Sequence, residues 1–215
     1  MARKDITLLT DGNGKMIYTG RANHCHIYTF SIPAKKTCPF AGECKAFCFA
    51  SSGNYTCPDP VACYARNFEA SKRHDFPQIM IAQIKEAVRL DAKRGKQVVV
   101  RIHDTGDFYS RAYLVKWIQI ASACPEVLFY GYTKSHPLFQ GVECPDNFRF
   151  IPSEGGKRDD MIQGLPRARV VPVGYVPGPG EVLGDKDDLR NLFMVIDQKM
   201  VLCLEAHGAK RGKVK

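Results

Sequence analysis

Cys38, Cys44 and Cys48 stand in one short stretch with the spacing C-x5-C-x3-C. Thiolates are soft ligands, and three on a bent segment hold three corners of a metal centre while leaving the fourth to a ligand. Cys44 and Cys48 are four residues apart, so a helical turn would put both sulfurs on one face. Pro39 and Gly42 supply a bend that returns Cys38 toward them. The triple has the form expected of an iron–sulfur cluster held by three cysteines. A competing pattern is Thr37-Cys38-Pro39 with Cys44, echoed by Thr56-Cys57-Pro58 with Cys63. Four thiolates from those two units make a structural zinc site the alternative, although its hooks are wider than usual and Cys48 is left over. Cys203 is a candidate fourth ligand, while Cys25, Cys124 and Cys144 read as buried or turn thiols.

A second set of reactive side chains follows predicted strands. Arg101 precedes His103-Asp104-Thr105-Gly106-Asp107, and further strands run into Thr133-Lys134-Ser135-His136 and Ser153-Glu154-Gly155-Gly156. Functional groups of parallel α/β folds collect at strand carboxyl ends, so these loops and the cysteine segment are expected on one face. His103, Asp104 and Asp107 are the candidates for proton transfer, with Arg101, Lys134 and Ser153 as substrate contacts. Asp104 and Asp107 also read as turn and cap residues, and Ser153 to Gly156 as a plain turn rather than an anion cradle. His24 and His26 read as packed or surface histidines.

The elements that must position these groups alternate. Strands are predicted at His24–Ile32, Gln97–Ile102, Val127–Tyr132, Phe148–Pro152, Arg169–Tyr175 and Met200–Glu205. Pro77 after Asp75 opens a helix with the stripe Met80, Ile84, Ala87 and Val88, closed by Gly95. A second helix starts near Ser110, carries Tyr113, Leu114 and Trp117, and stops before Pro125. A short helix is expected at Asp187–Phe193. The pattern predicts one α/β domain, as a small irregular or partial (β/α) barrel, or else a doubly wound sheet. Residues from about 33 to 66 read as a cysteine-rich insertion after the first strand.

The 215 residues suffice for a real core. Nine cysteines cannot all pair within one chain. No apolar leader opens the sequence and no run is long enough to span a membrane, so a reducing cytoplasm is the expected setting. In that setting clustered cysteines point to metal. The formal charge of +9 is concentrated at Arg3, Lys4 and the tail from about residue 208, Lys210-Arg211-Gly212-Lys213-Val214-Lys215. Weak nucleic-acid contact through these termini is expected at most.

Longer stretches carry a resemblance. Phe30-Ser31-Ile32-Pro33-Ala34, Thr37-Cys38-Pro39, Cys44 and Cys48-Phe49-Ala50 resemble the opening of the phage "gene product 88" family. Val100 through Ser110, followed by Trp117, is similar to its central motif, and Tyr130-Gly131-Tyr132-Thr133-Lys134-Ser135 to its next strand end. The likeness covers roughly residues 23 to 210. It implies a viral protein of the bacterial cytoplasm with a [4Fe-4S] centre on Cys38, Cys44 and Cys48. Cys57 and Cys63 lie outside the family pattern, and Phe49 stands where a tyrosine is usual. A more distant likeness is to radical S-adenosylmethionine enzymes, which also set three cysteines after a first strand. Their spacing is C-x3-C-x2-C, and S-adenosylmethionine is not supported here by a glycine-rich motif. The expectation is an iron–sulfur enzyme acting on a small polar ligand at the open iron, by Lewis-acid or redox chemistry. A zinc module contacting nucleic acid and a cluster-bearing regulator are the alternatives.

Overall fold

The computed structural model describes residues 7–206; the basic termini expected to touch nucleic acid lie outside that range. A two-residue strand, β1 (Thr10–Asp11), leads through helix α1 (Gly14–Ala22) to β2 (Cys25–Phe30). Asn13 caps α1 by accepting the Lys15 and Met16 N–H groups. The cysteine stretch follows as three short 3-10 turns, Glu43–Lys45, Phe49–Ser51 and Gly53–Thr56. Helices α2 (Pro58–Lys72) and α3 (Phe76–Ala92) then lead to β3 (Gln97–Ile102). Helix α4 (Arg111–Ser122) connects it to β4 (Leu128–Thr133), and an irregular crossover reaches β5 (Phe148–Pro152). The chain ends with β6 (Arg167–Val171), β7 (Glu181–Leu183), α5 (Asp188–Ile196) and β8 (Val201–Glu205).

The fold is mixed α/β. Five strands form one sheet in the order β1-β2-β3-β4-β5, parallel except for β1. The last three strands form a parallel sheet ordered β6-β8-β7. A bridge between Ser153 and Ala168, with the Glu154 N–H donating to the Ala168 carbonyl at 2.8 Å, joins the two. The strand β3 is apolar on both faces because both are covered. Val98, Val100 and Ile102 pack with Phe30 and Phe129 against Met80 and Ile84 of α3 and Leu114 and Trp117 of α4. On the reverse face, Val99, Ile27 and Tyr130 meet Met16 of α1 and Leu189, Leu192 and Val195 of α5. Each such large side chain contributes about 1.5–3 kcal/mol through its burial.

The helix α3 keeps Pro77 in its first turn, and Gly95 at φ +66° closes the turn after it. Ser110 caps α4 through the Tyr113 N–H. Three expectations need correction. The 169–175 strand begins at Arg167 and ends at Val171. The 33–66 insertion contains the start of α2, a full helix. Cys44 and Cys48 do not share a helical turn: Cys44 lies in the first 3-10 turn, and Cys48 has left it with φ −55° and ψ 113°.

Candidate functional site

The cysteine segment is stapled to the loop after β5. The Gly155 carbonyl accepts the N–H groups of both Gly42 (3.1 Å) and Cys44 (3.2 Å), and Phe40 accepts the Lys157 N–H at 2.8 Å. Ala41 and Gly156 form an antiparallel bridge between these contacts. Glycine is required at the crossing, since a Cβ on Gly42 would lie 2.8 Å from the Gly156 oxygen. Gly155, at φ +88°, needs the left-handed region that L side chains resist. The N–H groups of Gly155 and Gly156 both donate to the Asp159 carboxylate, at 2.8 and 2.9 Å. An intramolecular carboxylate thus already fills the cradle that the Ser153 to Gly156 loop would offer an anion.

This staple brings the thiols to polar groups from other strand ends. Asp107 is buried; it accepts from the Thr133 hydroxyl at 2.6 Å, the Lys134 N–H at 2.9 Å and the Phe108 N–H at 2.8 Å. Lys134 Nζ donates to Ser153 Oγ at 2.9 Å. Burial raises the Asp107 pKa, and its hydrogen bonds and the Lys134 charge offset only part of the rise. Burial pushes the Cys38 thiol up to about 12, with the charges of Asp107, Cys44 and Cys48 acting in the same direction. Burial also raises Cys44, against the lowering effect of Lys134. These mutual effects mark Cys38, Cys44, Cys48, Asp107 and Lys134 as one electrostatic neighbourhood.

The loop after β3 sends its three candidates in three directions. His103, at φ +64°, turns into the aromatic core, with Nε2 2.9 Å from the Tyr113 hydroxyl and the ring edge-on to Phe108. Burial lowers its pKa to about 3, so the ring is neutral at physiological pH, and it is poorly suited to the proton transfer expected of it. Asp104 turns toward the reverse face, accepting from Asn13 at 2.9 Å and the Tyr55 hydroxyl at 3.3 Å. Of the three, Asp107 is the one whose charge acts on the Cys38 and Cys44 thiols. Gly106, at φ +84°, makes the divergence possible, because a Cβ there would meet the Ile32 side chain at 2.5 Å and Thr37 Oγ1 at 2.8 Å.

Arg101, expected to contact substrate, is engaged elsewhere. Its guanidinium donates to Asp188 at 2.7 Å, and Asp188 also pairs with Lys15 at 2.7 Å and accepts from the Tyr130 hydroxyl at 3.0 Å. Asp188 is 0% exposed. Burial alone would raise its pKa, but Arg101 and Lys15 outweigh it and hold the carboxyl below its ordinary value. Burial works likewise against the Arg101 charge, and Asp188 and Asp104 more than compensate. This buried ion cluster ties α1 and α5 to the sheet. No sequence pattern singled out Asp188, since an aspartate at a helix start reads as an ordinary cap.

The remaining histidines and cysteines fall apart from this neighbourhood. His26 sits between Asp11 (3.0 Å) and buried Asp91 (2.9 Å), while His24 lies before β2 at φ +52°. Cys57 is exposed, and Cys63 Sγ accepts from Arg66 at 3.2 Å. Cys203 is buried in β8, its charged neighbours being Glu181, Arg169, Glu154 and Arg167. Cys25 and Cys124 are buried, and Cys144 is exposed in the irregular crossover between β4 and β5. Among the described residues, no three His, Cys, Asp or Glu side chains are close enough together to grip a single metal ion. No helix among the described residues is long and apolar enough to cross a membrane.

Fold and site together define an α/β protein whose three-cysteine segment is clamped over the carboxyl ends of a mostly parallel sheet. Residues 7–215 match the family model described as Gene product 88, and the chain belongs to that family of phage proteins. No curated protein and no solved structure matches it.

Proposed function

We propose that the chain is an iron–sulfur protein, with a [4Fe-4S] cluster on Cys38, Cys44 and Cys48 and a small polar ligand at the iron that no cysteine holds. The observation that carries this reading is the staple: Gly155 fixes the cysteine segment where its thiols share a neighbourhood with Asp107 and Lys134. The donor set fits the group. A four-iron cluster spreads its thiolates over three separate irons, further apart than the donors of one ion.

When bound, the cluster would supply Lewis-acid or one-electron chemistry at its open iron. The surrounding residues have separable tasks. Lys134, anchored by Ser153, offers its remaining ammonium protons to an acidic or hydroxyl group of the ligand. Asp107, with its raised pKa, holds or accepts a proton beside the thiols. His103 acts only by position, through its bond to Tyr113. The two sheets read as the halves of one partial barrel, a reading supported by the Ser153–Ala168 bridge. A reducing host cytoplasm is the compartment this chemistry requires.

Anaerobic reconstitution with iron and sulfide tests the reading. Native protein is expected to turn brown with broad visible absorption, and Cys38→Ser, Cys44→Ser and Cys48→Ser each to lose most of the colour. Cys57→Ser and Cys63→Ser should keep it. Colourless native protein that holds zinc, with that zinc lost in Cys57→Ser, would overturn the proposal.

A further inference from the structure

Beside the cysteine segment lies a cavity of about 260 Å³ that none of the groups above occupies. Its walls come from three places: Ala34 and Lys35 after β2, Tyr55 in the last 3-10 turn, and Val61 and Tyr64 on α2. Thr105, from the loop after β3, completes it. The lining is mainly apolar and aromatic. Val61, 49% exposed, adds apolar surface at its rim.

The polar groups of the cavity are not equivalent. Thr105 spends its hydroxyl on the Ile32 carbonyl at 2.8 Å, and Tyr55 donates to Asp104. Burial, followed by the Asp104 charge, pushes the Tyr64 phenol up to about 12, so this wall stays uncharged at physiological pH. Lys35 is the only charged residue in the lining, no carboxylate lines the cavity with it, and it makes no ion pair among the described residues. Its backbone is left-handed, at φ +63°, where glycine would cost less. An exposed lysine on a left-handed backbone thus lines the edge of an apolar, ring-lined cavity.

We infer that this cavity binds a small organic anion with an apolar or aromatic body, its anionic head on Lys35 and its body against Tyr55, Tyr64 and Val61. The volume admits a single ring with a short acidic arm and excludes a dinucleotide or a peptide. Ala50 and Ser51 line the cavity only two and three residues after Cys48, so a molecule held there lies next to the cysteine segment. The inference goes beyond the cluster reading and stands on the cavity alone. A preparation that never takes up iron can fail the earlier test and still pass this one.

The test is fluorine NMR of the full chain with para-fluorophenylacetate, its uncharged amide, and acetate as competitor. The acid should bind about tenfold more tightly than the amide, since the charge-assisted contact to Lys35 is the only difference. Acetate, which lacks the body, should not displace it. Lys35→Gln should bring acid and amide to the same affinity while leaving the amide unchanged. Val61→Trp, which fills the cavity, should abolish binding of both, with Ala65→Phe as the second filling variant should the first fail to fold. Equal affinity of acid and amide in the native chain, no binding of either at millimolar concentration, or native binding in a folded filling variant would each overturn the inference.

Discussion

Two of the buried aspartates, Asp107 and Asp188, have pKa values shifted in opposite directions. Asp188 faces two cations and two tyrosine hydroxyls and is held below its ordinary pKa. Asp107 receives a hydroxyl and two N–H groups but no direct ion pair, and it is raised above its ordinary value. A carboxylate with full counter-charge is finished: it secures α1 and α5, and nothing further can bind it at low cost. A carboxyl with hydrogen bonds alone is held above its ordinary value, and its charge is felt by the Cys38 and Cys44 thiols. The contrast sets a fully paired carboxylate against one held by hydrogen bonds alone, with the same residue type on either side of one sheet.

The contrast breaks most visibly at Asp188. Asp188→Ala leaves Arg101 buried without its main partner, and a loss of about 3–5 kcal/mol is expected in urea unfolding. A loss below about 1 kcal/mol would show that the cluster is not what holds α5. Next in size is Gly155→Ala, which forces a side chain into φ +88° with its Cβ 3.4 Å from Cys44 Cβ. That strain costs about 1–3 kcal/mol. Iron uptake should fall with it, whereas Asp188→Asn should leave iron uptake intact in whatever fraction folds.

The smallest effect is also the sharpest, because its sign reverses between the two residues. The Asp188 pKa is lowered by folding, so its contribution is present above the unfolded value near 3.8 and is lost as pH falls through the folded value. The Asp107 pKa is raised, so its carboxyl favours folding when protonated, and stability declines as pH rises from the unfolded value through the folded one. Urea unfolding at several pH values from acid to neutral should therefore show Asp107→Asn gaining relative to native as pH rises. Asp188→Asn should fall further behind. Parallel pH profiles for the two variants would remove the distinction.

Much of the frame was legible. Gln97–Ile102 and Phe148–Pro152 form strands as expected, and α4 starts where Ser110 promised a cap, because apolar runs and caps are local signals. The helices α1 and α2 escaped notice because their buried faces carry Thr19, Gly20, Asn67 and Ser71 rather than an apolar stripe. Pro58 in the first turn of α2 is the local signal for that helix, and in the sequence it coincides with the Thr56-Cys57-Pro58 metal pattern. At the site, the spacing of Cys38, Cys44 and Cys48 was visible and their neighbours were not. The separation of His103, Asp104 and Asp107 depends on positive φ at His103 and Gly106, and no residue type announces that for a histidine. Arg101 could not be told from a ligand contact, because its partner Asp188 lies 87 residues away in the chain.

The staple also sets an order of events during synthesis. The cysteine segment leaves the ribosome early, yet its Gly155 acceptor and the Lys157 that reaches the Pro39 carbonyl come much later, the latter contact spanning 118 residues. Until that late loop has emerged, nothing arranges the three thiols over the sheet. A nascent chain therefore carries the three thiols unclamped until the loop after β5 has been made.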